Sequence, residues 1–341
     1  MMEEAGNQRI FLAAKPEGMP RESDFALERI AMPVPGAGEV LVRGLWLSVD
    51  PYMRGLIADV YPHIKPILVG DTMRGGAVGR VVASNDPAFK PGDLVEGRLG
   101  WQLYSVMAAS ALRVLDATLA PPSTALGVLG MPGMTAYFGM TDIGEPKAGQ
   151  TVVVSAAAGA VGSAAGQIAK IRGCRVIGIA GSREKVRHVV EDLGFDACID
   201  YQAEPDMGAA LRRHCPERIN VYFDNVGGST YDAVTGWMAL DARIVICGSI
   251  AEYNAQGVEL GPRRLKEFET WRARQQGFRV GDYIPRYPEG IAVMAAWIAE
   301  GKMRYRETVA EGLVNAPSAF IGLLKGRNIG KQLVRLAPDA S

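Results

Sequence analysis

The feature of the sequence that most constrains the fold is a short apolar strand that passes through a turn of small residues into a helix. Thr151–Ser155 (TVVVS) predicts a buried strand, Ala156–Gly162 (AAAGAVG) predicts the turn, and a helix is expected to continue to about Arg172. A second apolar run, Arg175–Ala180 (RVIGIA), predicts another buried strand. Because parallel strands need a crossover of about a dozen residues or more, this spacing predicts two parallel strands joined by a helix.

The alternation of strands and helices continues after this unit. Ser182 is expected to cap a helix with one apolar face, since its side-chain oxygen can accept a hydrogen bond from the first helical turn. Asn220–Phe223 and Arg243–Ile246 predict further buried strands, with a helix around Tyr231–Ala239 between them. Regular alternation of this kind predicts an α/β fold of the Rossmann type, a doubly wound parallel sheet.

The residues that precede this region have the composition of a β domain. Glu39–Val49, Gly79–Ala83 and Leu94–Gly97 predict short strands separated by turn sequences that contain Pro, Gly, Asn and Asp. No helical period is found before about Ser123. We therefore expect an all-β, barrel-like first part.

The end of the chain is expected to return to this β domain. Lys331–Leu336 predicts a closing strand after a helix at Ala316–Lys325. The predicted domains are therefore a discontinuous β domain, residues 1–130 with 307–341, and a Rossmann domain, residues 131–306.

The turn Ala156–Gly162 matches the dinucleotide-binding pattern G-x-G-x-x-G, with Ala157 in the place of the first glycine. Gly159 would let the backbone approach a pyrophosphate, and Gly162 would let the helix pack closely on the strand. The free N–H groups and the positive end of the helix dipole would then face the phosphates. Because the pattern opens a predicted strand–helix–strand unit, we prefer a dinucleotide site to a simple packing turn.

The end of the second strand predicts which dinucleotide binds. NAD sites place Asp or Glu about 20 residues beyond the glycine pattern, where it binds the ribose 2′-hydroxyl. Here no acidic residue stands at the strand end, and Arg183 and Lys185 follow it. Both cations can pair with a 2′-phosphate, so the sequence predicts NADP(H); two solvated charges at a helix start are the alternative.

Composition and charge argue against several other classes of protein. The 37 Lys and Arg residues balance the 37 Asp and Glu residues, so no basic excess is present to bind nucleic acid. The acidic N-terminus has no apolar signal region, and Thr151–Ala169, the most membrane-like stretch, is too rich in Ala, Gly and Ser to predict a membrane span. We therefore expect a cytoplasmic protein that binds neither membrane nor nucleic acid.

The cysteines and histidines predict neither disulfides nor a metal site. Four cysteines occur without a C-x-x-C pair, as expected in a reducing cytosol. The three histidines form no ligand pattern with them, although a zinc site needs about three or four clustered nitrogen or sulfur ligands. The residues concerned are Cys174, Cys198, Cys215, Cys247, His63, His188 and His214.

Several strings of the sequence together resemble one branch of a known family. They are Leu47–Arg54 (LSVDPYMR), Ala156–Gly162, Gly166–Lys170 (GQIAK), Gly181–Ser182, Tyr222–Gly228 (YFDNVGG), Ile246–Ile250 (ICGSI) and Gly326–Lys331 (GRNIGK). In these strings the chain resembles the zinc-free, NADPH-dependent double-bond reductases of the medium-chain dehydrogenase/reductase superfamily, a branch that contains prostaglandin, alkenal and curcumin reductases. The resemblance spans nearly the whole chain.

The resemblance implies a GroES-like β domain with the substrate site, a Rossmann domain that binds NADPH, and a homodimer. It also implies that Lys185 is a more constant phosphate ligand than Arg183. The coenzyme contacts that the matching positions imply are Gly159, Ala160, Val161, Gly162, Lys185, Tyr201, Asn225, Cys247, Gly248, Ser249, Ile250, Tyr253, Phe278, Arg279, Val280 and Asn328.

The reaction of this family suggests roles for two tyrosines. Hydride attack on the β-carbon of an enone places negative charge on the carbonyl oxygen, where a neutral hydroxyl can donate a hydrogen bond. Tyr253, which follows the Ile246–Ile250 strand end, is expected to be the catalytic acid, and Tyr52 is expected to bind the substrate. The expected reaction is NADPH-dependent reduction of the C=C bond of an α,β-unsaturated ketone or aldehyde.

Two other functions stay open at this point. A quinone reductase of the same superfamily would transfer hydride to a ring, and a coenzyme-binding sensor or structural protein would turn over no substrate. The Arg- and Lys-rich segment at residues 263–274 is either a solvated helix face or a loop that recognises an acidic substrate tail. A zinc alcohol dehydrogenase is excluded, because the cysteines and histidines cannot supply its ligands.

Overall fold

The structure is a computed structural model that describes residues 6–255, 257 and 260–339. Its strands, in chain order, are β1 (Asn7–Leu12), β2 (Phe25–Ile30), β3 (Glu39–Ser48), β4 (Ala77–Ser84), β5 (Leu94–Gly97), β6 (Tyr104–Ala108), β7 (Arg113–Val114), β8 (Thr151–Ser155), β9 (Arg175–Ala180), β10 (Ala197–Asp200), β11 (Ile219–Asp224), β12 (Met238–Ile246), β13 (Arg274–Gly277), β14 (Glu307–Glu311) and β15 (Lys331–Arg335). Its helices are α1 (Tyr52–Ala58), α2 (Met131–Phe138), α3 (Ala160–Ile171), α4 (Arg183–Arg187), α5 (Met207–His214), α6 (Gly228–Thr235), α7 (Leu265–Trp271), α8 (Tyr287–Ala299) and α9 (Ala316–Leu324). Over the described ranges, no helix is both long enough and apolar enough to cross a membrane.

The described residues form two compact units. The first, which we call the β unit, contains the residues up to Leu126, Glu307–Asn328 and the residues from Gln332 onward. The second, which we call the α/β unit, contains Gly127–Arg306 and Ile329–Lys331. The last part of the chain therefore contributes to both units.

The α/β unit is built on a six-stranded sheet in the order β10-β9-β8-β11-β12-β13, in which every neighbouring pair is parallel. The central strand β8 is buried along its whole length, as expected of a parallel sheet that is covered on both faces. The strand order reverses between β8 and β11, which confirms the predicted doubly wound sheet. We call the edge at which these strands end the carboxyl edge, and the opposite one the amino edge.

The β unit contains a separate sheet of seven strands. Strands β15, β3, β4, β5 and β7 pair antiparallel in this order, β14 adjoins β15, and β6 pairs with β3. Its core includes the stacked rings of Trp101 and Phe25, with centroids 5.9 Å apart, and the ring of Phe320 meets both edge-on. The chain therefore combines a doubly wound parallel sheet with a separate antiparallel sheet, as the sequence predicts.

The expectation that no helix precedes about Ser123 is wrong. Helix α1 begins at Tyr52, directly after the segment that follows β3. Its residues Met53–Ile57 are all buried, so the helix shows no amphipathic period in the sequence. A Cβ on Gly55 would lie 2.4 Å from the ring of Tyr61, so the glycine allows the following chain to pack against the helix.

The predicted helix around Tyr231–Ala239 is displaced in the sequence. Helix α6 covers Gly228–Thr235, and the chain enters β12 at Met238. Strands β5, β8 and β9, in contrast, have the predicted bounds. The bounds of apolar strands with clear turn residues on both sides are thus predicted more accurately than the bounds of this helix.

Candidate active site

The carboxyl edge gathers residues that are far apart in the sequence, because parallel strands all end on the same side of a sheet. In doubly wound sheets, ligands bind outside this edge, at the point where the strand order reverses. The predicted coenzyme contacts of the α/β unit each follow a strand end: Gly159–Gly162 after β8, Lys185 after β9, Tyr201 after β10, Asn225 after β11, Cys247–Ile250 and Tyr253 after β12, and Phe278–Val280 after β13.

The turn after β8 has the geometry that a phosphate group requires. Ala156 is in the left-handed region at φ 49°, and Gly159, directly before α3, is extended. A Cβ on Gly162 would lie 2.4 Å from the carbonyl oxygen of Ala156, so only glycine lets the helix begin this close to the turn. The first N–H groups of a helix lack intrahelical partners and bind anions readily, so this turn fits a dinucleotide.

A segment near the C-terminus supports this turn, and residue-level reasoning did not predict it. The N–H of Gly330 donates to the carbonyl oxygen of Ala158 at 2.7 Å, and Gly330 forms a parallel bridge with Gly159. Gly330 has φ 70°, and a Cβ there would lie 1.8 Å from the carbonyl oxygen of Arg306. The only sequence signal was the glycine within the family-like string GRNIGK.

The segment after β9 contains a cationic side chain, Lys185, rather than an acidic one at the strand end. Ser182 caps α4, as predicted, by accepting a hydrogen bond from the N–H of Lys185 at 3.4 Å. Burial lowers the pKa of the Lys185 ammonium below its ordinary value, and an anion placed beside it would stabilise its charged form. Arg183 is exposed at the start of the same helix.

Tyr201, directly after β10, packs on the end of β9. A Cβ on Gly181 would lie 2.6 Å from the Tyr201 ring, so the glycine leaves room for the ring. The Tyr201 side chain is 52% exposed. An exposed aromatic ring at a strand end is available to a ligand that binds at this edge.

The side chain of Asn225, after β11, is oriented by the neighbouring strand β8. Its Nδ2 donates to the carbonyl oxygen of Ser155 at 2.7 Å, and its backbone N–H donates to Ser155 Oγ at 2.8 Å. Within the part of the chain that the structure describes, no group donates to Asn225 Oδ1. That oxygen can therefore accept a hydrogen bond from a ligand.

The segment after β12 passes over the end of β11. The N–H of Cys247 donates to the carbonyl oxygen of Asp224 at 2.8 Å, and the N–H of Ile250 donates to that of Asn225 at 3.3 Å. Burial and the carboxylate of Asp224 raise the pKa of the Cys247 thiol to about 12. The thiol is therefore neutral at physiological pH and is not a nucleophile.

Tyr253 follows this segment and is half-buried. Its hydroxyl lies beside Gly248, where a Cβ would come within 3.2 Å of it. The same Cβ would lie 3.7 Å from the carbonyl oxygen of Asn225. The hydroxyl is thus held at the carboxyl edge, close to the ends of β11 and β12.

Phe278, after β13, packs against helix-end residues of the α/β unit. A Cβ on Gly139 would lie 3.0 Å from the Phe278 ring and 2.7 Å from the Phe223 ring. Phe278 also meets Tyr283 edge-on, with ring centroids 6.2 Å apart. Of the two residues that follow, Arg279 is exposed and Val280 is half-buried.

Two predicted site residues, Tyr52 and Asn328, belong to the β unit. Tyr52 is half-buried as the first residue of α1, not at a strand end as its sequence context suggests. Burial and the neighbouring carboxylate of Asp50 raise the pKa of the Tyr52 hydroxyl above its ordinary value, so it stays a neutral donor. Asn328 is buried.

The Arg- and Lys-rich segment is largely paired with acidic residues of its own unit. These pairs favour the solvated-surface interpretation over the recognition of an acidic substrate tail. Arg274 also lies in β13 rather than on a helix. The pairs are Arg264 with Glu267 at 3.1 Å, Arg272 with Asp241 at 3.0 Å and Arg274 with Glu145 at 2.6 Å.

Among the residues that the structure describes, no group of side chains fits a metal ion. Over residues 6–255, 257 and 260–339, no three His, Cys, Asp or Glu side chains are grouped as metal ligands. The four cysteines are free thiols at separate positions. A zinc site needs about three or four such ligands together.

Known protein families match both halves of the chain. A family model described as the N-terminal domain of oxidoreductase matches residues 8–115, and one described as zinc-binding dehydrogenase matches residues 160–296. Although the second description names zinc, the described residues hold no ligand set for it.

Individual relatives match over nearly the whole chain. The NADPH-dependent curcumin reductase of Escherichia coli (strain K12) is 46% identical over 98% of this chain and 98% of that protein. The NADP(+)-dependent 2-alkenal reductase of Nicotiana tabacum is 43% identical over 99% of this chain and 100% of that protein. The crystal structure of CurA from Vibrio vulnificus in complex with NADPH has a TM-score of 0.92 at 45% identity, with 97% of this chain and 99% of that chain covered.

Identity at this level over full length establishes the family. The chain belongs to the medium-chain dehydrogenase/reductase family of oxidoreductases, in the branch that its sequence strings resemble.

Proposed function

We propose that the protein is an NADPH-dependent reductase of the C=C bond of α,β-unsaturated ketones and aldehydes. Hydride is added to the β-carbon and a proton to the α-carbon. The names of the curcumin and alkenal reductases to which the chain is similar support this proposal. The observation that carries it is the Tyr253 hydroxyl beside Gly248, at the same sheet edge as the dinucleotide turn.

The residues of the carboxyl edge divide the binding of NADPH among them. The N–H groups of Gly159–Gly162 bind the pyrophosphate, and Lys185, assisted by Arg183, binds the 2′-phosphate. The remaining proposed contacts to NADPH are Tyr201, Asn225, Cys247, Gly248, Ser249, Ile250, Tyr253, Phe278, Arg279, Val280 and Asn328. When bound, NADPH supplies the hydride.

Two phenols act on the substrate in this proposal. Tyr253 donates a hydrogen bond to the carbonyl oxygen, where negative charge develops, and acts as the acid that completes the reduction. Tyr52 orients the substrate through its hydroxyl, which is neutral because its pKa is raised. A neutral phenol can donate without placing a charge in the site.

An assay of NADPH oxidation over a panel of substrates tests the proposal. The panel contains a linear enal, an aryl enone and a benzoquinone, and the products are analysed by mass spectrometry. We expect the saturated aldehyde or ketone from the first two. Turnover of the quinone alone would instead identify a quinone reductase. An allylic alcohol as the product would identify a carbonyl reductase, and the absence of turnover would identify a coenzyme-binding protein without catalysis.

We also propose that the enzyme is a homodimer. Strand β13 ends the parallel sheet and all four of its residues are exposed, so its outer edge offers backbone groups to a second copy. Sedimentation equilibrium should give twice the chain mass, whereas the mass of one chain would contradict the proposal.

The four free thiols support a reducing cytosol as the location of the enzyme, which cell fractionation would test.

A further inference from the structure

A buried carboxylate lies where the strand order reverses, and the proposed reaction does not use it. Asp224 ends β11 and is 2% exposed, and Ser155 ends the neighbouring strand β8 with none of its surface exposed. A buried carboxylate is costly unless hydrogen-bond donors surround it. The sequence offers only a strand that ends in an acidic residue, which is equally typical of a cap or a turn.

Four donors converge on one oxygen of this carboxylate. The hydroxyls of Tyr222 and Ser155 donate to Asp224 Oδ1 at 2.6 and 2.9 Å. The backbone N–H groups of Val226 and Gly227 donate to the same oxygen at 2.9 and 3.1 Å. Asp224 therefore ties together the ends of two strands and the turn that follows β11.

This cluster is connected directly to the predicted coenzyme contacts. Ser155 Oγ, which donates to Asp224, accepts the N–H of Asn225, and the Ser155 carbonyl accepts Asn225 Nδ2. The carbonyl oxygen of Asp224 accepts the N–H of Cys247, at the start of the segment that leads to Tyr253. The carboxylate is thus linked to the Asn225 backbone through two hydrogen bonds that meet at Ser155 Oγ.

We propose that Asp224, together with Ser155 and Tyr222, is a positioning residue for coenzyme binding. It acts through Asn225, whose backbone N–H it fixes by way of Ser155 Oγ, and through the backbone that carries Tyr253. This inference rests on the proposed function, since it takes Asn225 and Tyr253 as parts of the site. Preorganised groups of this kind contribute because the ligand does not have to order them on binding.

A double-mutant cycle separates positioning from general stabilisation. NADPH dissociation constants are measured by fluorescence titration for Ser155→Ala, Asn225→Ala and the double variant. Ser155→Ala removes hydrogen bonds that join Asn225 to a charged group, so we expect NADPH binding to weaken about 10-fold. In the Asn225→Ala background the same substitution should weaken binding less than about 2-fold, because residues that act as one unit are not additive.

Asn220→Ala is the matched control. Asn220 Oδ1 accepts the N–H of Thr151 at 2.9 Å, so it links the same two strands at the amino edge. This variant should lower the melting temperature without changing NADPH affinity or kcat. Tyr222→Phe, which leaves the carboxylate and both backbone donors in place, should weaken NADPH binding by a few fold and carries the test if Ser155→Ala does not fold.

The outcomes decide the inference separately from the proposed function. Additive effects of Ser155→Ala and Asn225→Ala would overturn it, as would a Ser155→Ala or Tyr222→Phe variant that behaves like Asn220→Ala. If the wild-type protein binds NADPH but reduces no enone, the proposed function fails, while the cycle on NADPH affinity still decides the role of Asp224. The inference is supported if the losses of NADPH affinity are coupled and occur only in the variants at the carboxyl edge.

Discussion

Polar side chains connect neighbouring strands and loops at both the amino edge and the carboxyl edge of the parallel sheet, but they do so in different ways. At the amino edge, Arg272 pairs with Asp241, and their side chains are 63% and 66% exposed. Arg274 pairs with Glu145, and their side chains are 63% and 51% exposed. At the carboxyl edge, the bridging group is the buried carboxylate of Asp224, which four donors surround.

A buried bridge also lies at the amino edge, and it differs from Asp224 in its partners. Arg243 donates to the side-chain oxygen of Gln150 and to the carbonyl oxygen of Glu145, at 2.8 and 2.9 Å. These bonds connect strands and loops but hold no predicted ligand group. Burial alone therefore does not distinguish the two edges: Arg243 is buried as well, but only the hydrogen bonds of Asp224 lead to predicted coenzyme contacts.

The sharpest way to test this difference is to remove the proposed acid at the carboxyl edge. Tyr253→Phe should lower turnover of an enone by about 10²–10⁴-fold, the range for general acid catalysis, with NADPH affinity little changed. Steady-state kinetics and coenzyme titration measure the two quantities. Tyr231→Phe, whose hydroxyl donates to Gln275, is the matched control and should keep its turnover. Equal turnover in Tyr253→Phe and the wild type would remove Tyr253 from the mechanism.

A smaller effect is expected from the cation after β9. Lys185→Ala should weaken NADPH binding by about 10- to 100-fold and leave NADH binding unchanged, because only NADPH carries the 2′-phosphate. Because burial lowers the Lys185 pKa, wild-type affinity for NADPH should fall with rising pH before an ordinary lysine would lose its charge. The variant should lack this fall.

Lys170→Ala is the control for this substitution, since Lys170 pairs with Asp196 and follows no strand end of the site. Arg183→Ala should have a smaller effect than Lys185→Ala. An unchanged preference for NADPH in both Lys185→Ala and Arg183→Ala would reject the assignment of the 2′-phosphate to these residues.

The smallest effect is expected at the amino edge. Arg272→Ala removes an ion pair that water reaches, so the free energy of unfolding should fall by less than about 1 kcal/mol. Turnover and NADPH affinity should not change. Chemical denaturation and the enone assay measure both, and a loss of coenzyme affinity in this variant would break the distinction between the two edges.

The parallel sheet was the part of the fold most accessible from the sequence. Strands β8 and β9 are apolar runs with glycine-rich borders, and their predicted bounds match the structure. Helix α1 was missed because it is short and buried all round, so it has no polar face to reveal its period. Strand β13 (RQQG) was missed because its residues are polar and exposed, and only its pairing with β12 defines it.

The candidate site shows the same division. Gly159 and Gly162 carry a local pattern that the turn requires, and Ser182 caps its helix as its residue type predicts. The roles of Gly330 and Asp224 arise from contacts between segments that are far apart in the sequence, such as Gly330 with Ala158. A single sequence gives the residue types at these positions but does not indicate which distant segments will contact each other.

The most direct test of the central claim follows the hydride itself. NADPH that carries deuterium at both C4 positions of the nicotinamide is supplied with an aryl enone, and the product is analysed by NMR. We expect one deuterium on the β-carbon of a saturated ketone, with the α-carbon hydrogen taken from the solvent. Deuterium on the carbonyl carbon of an allylic alcohol, or no transfer of deuterium, would contradict it.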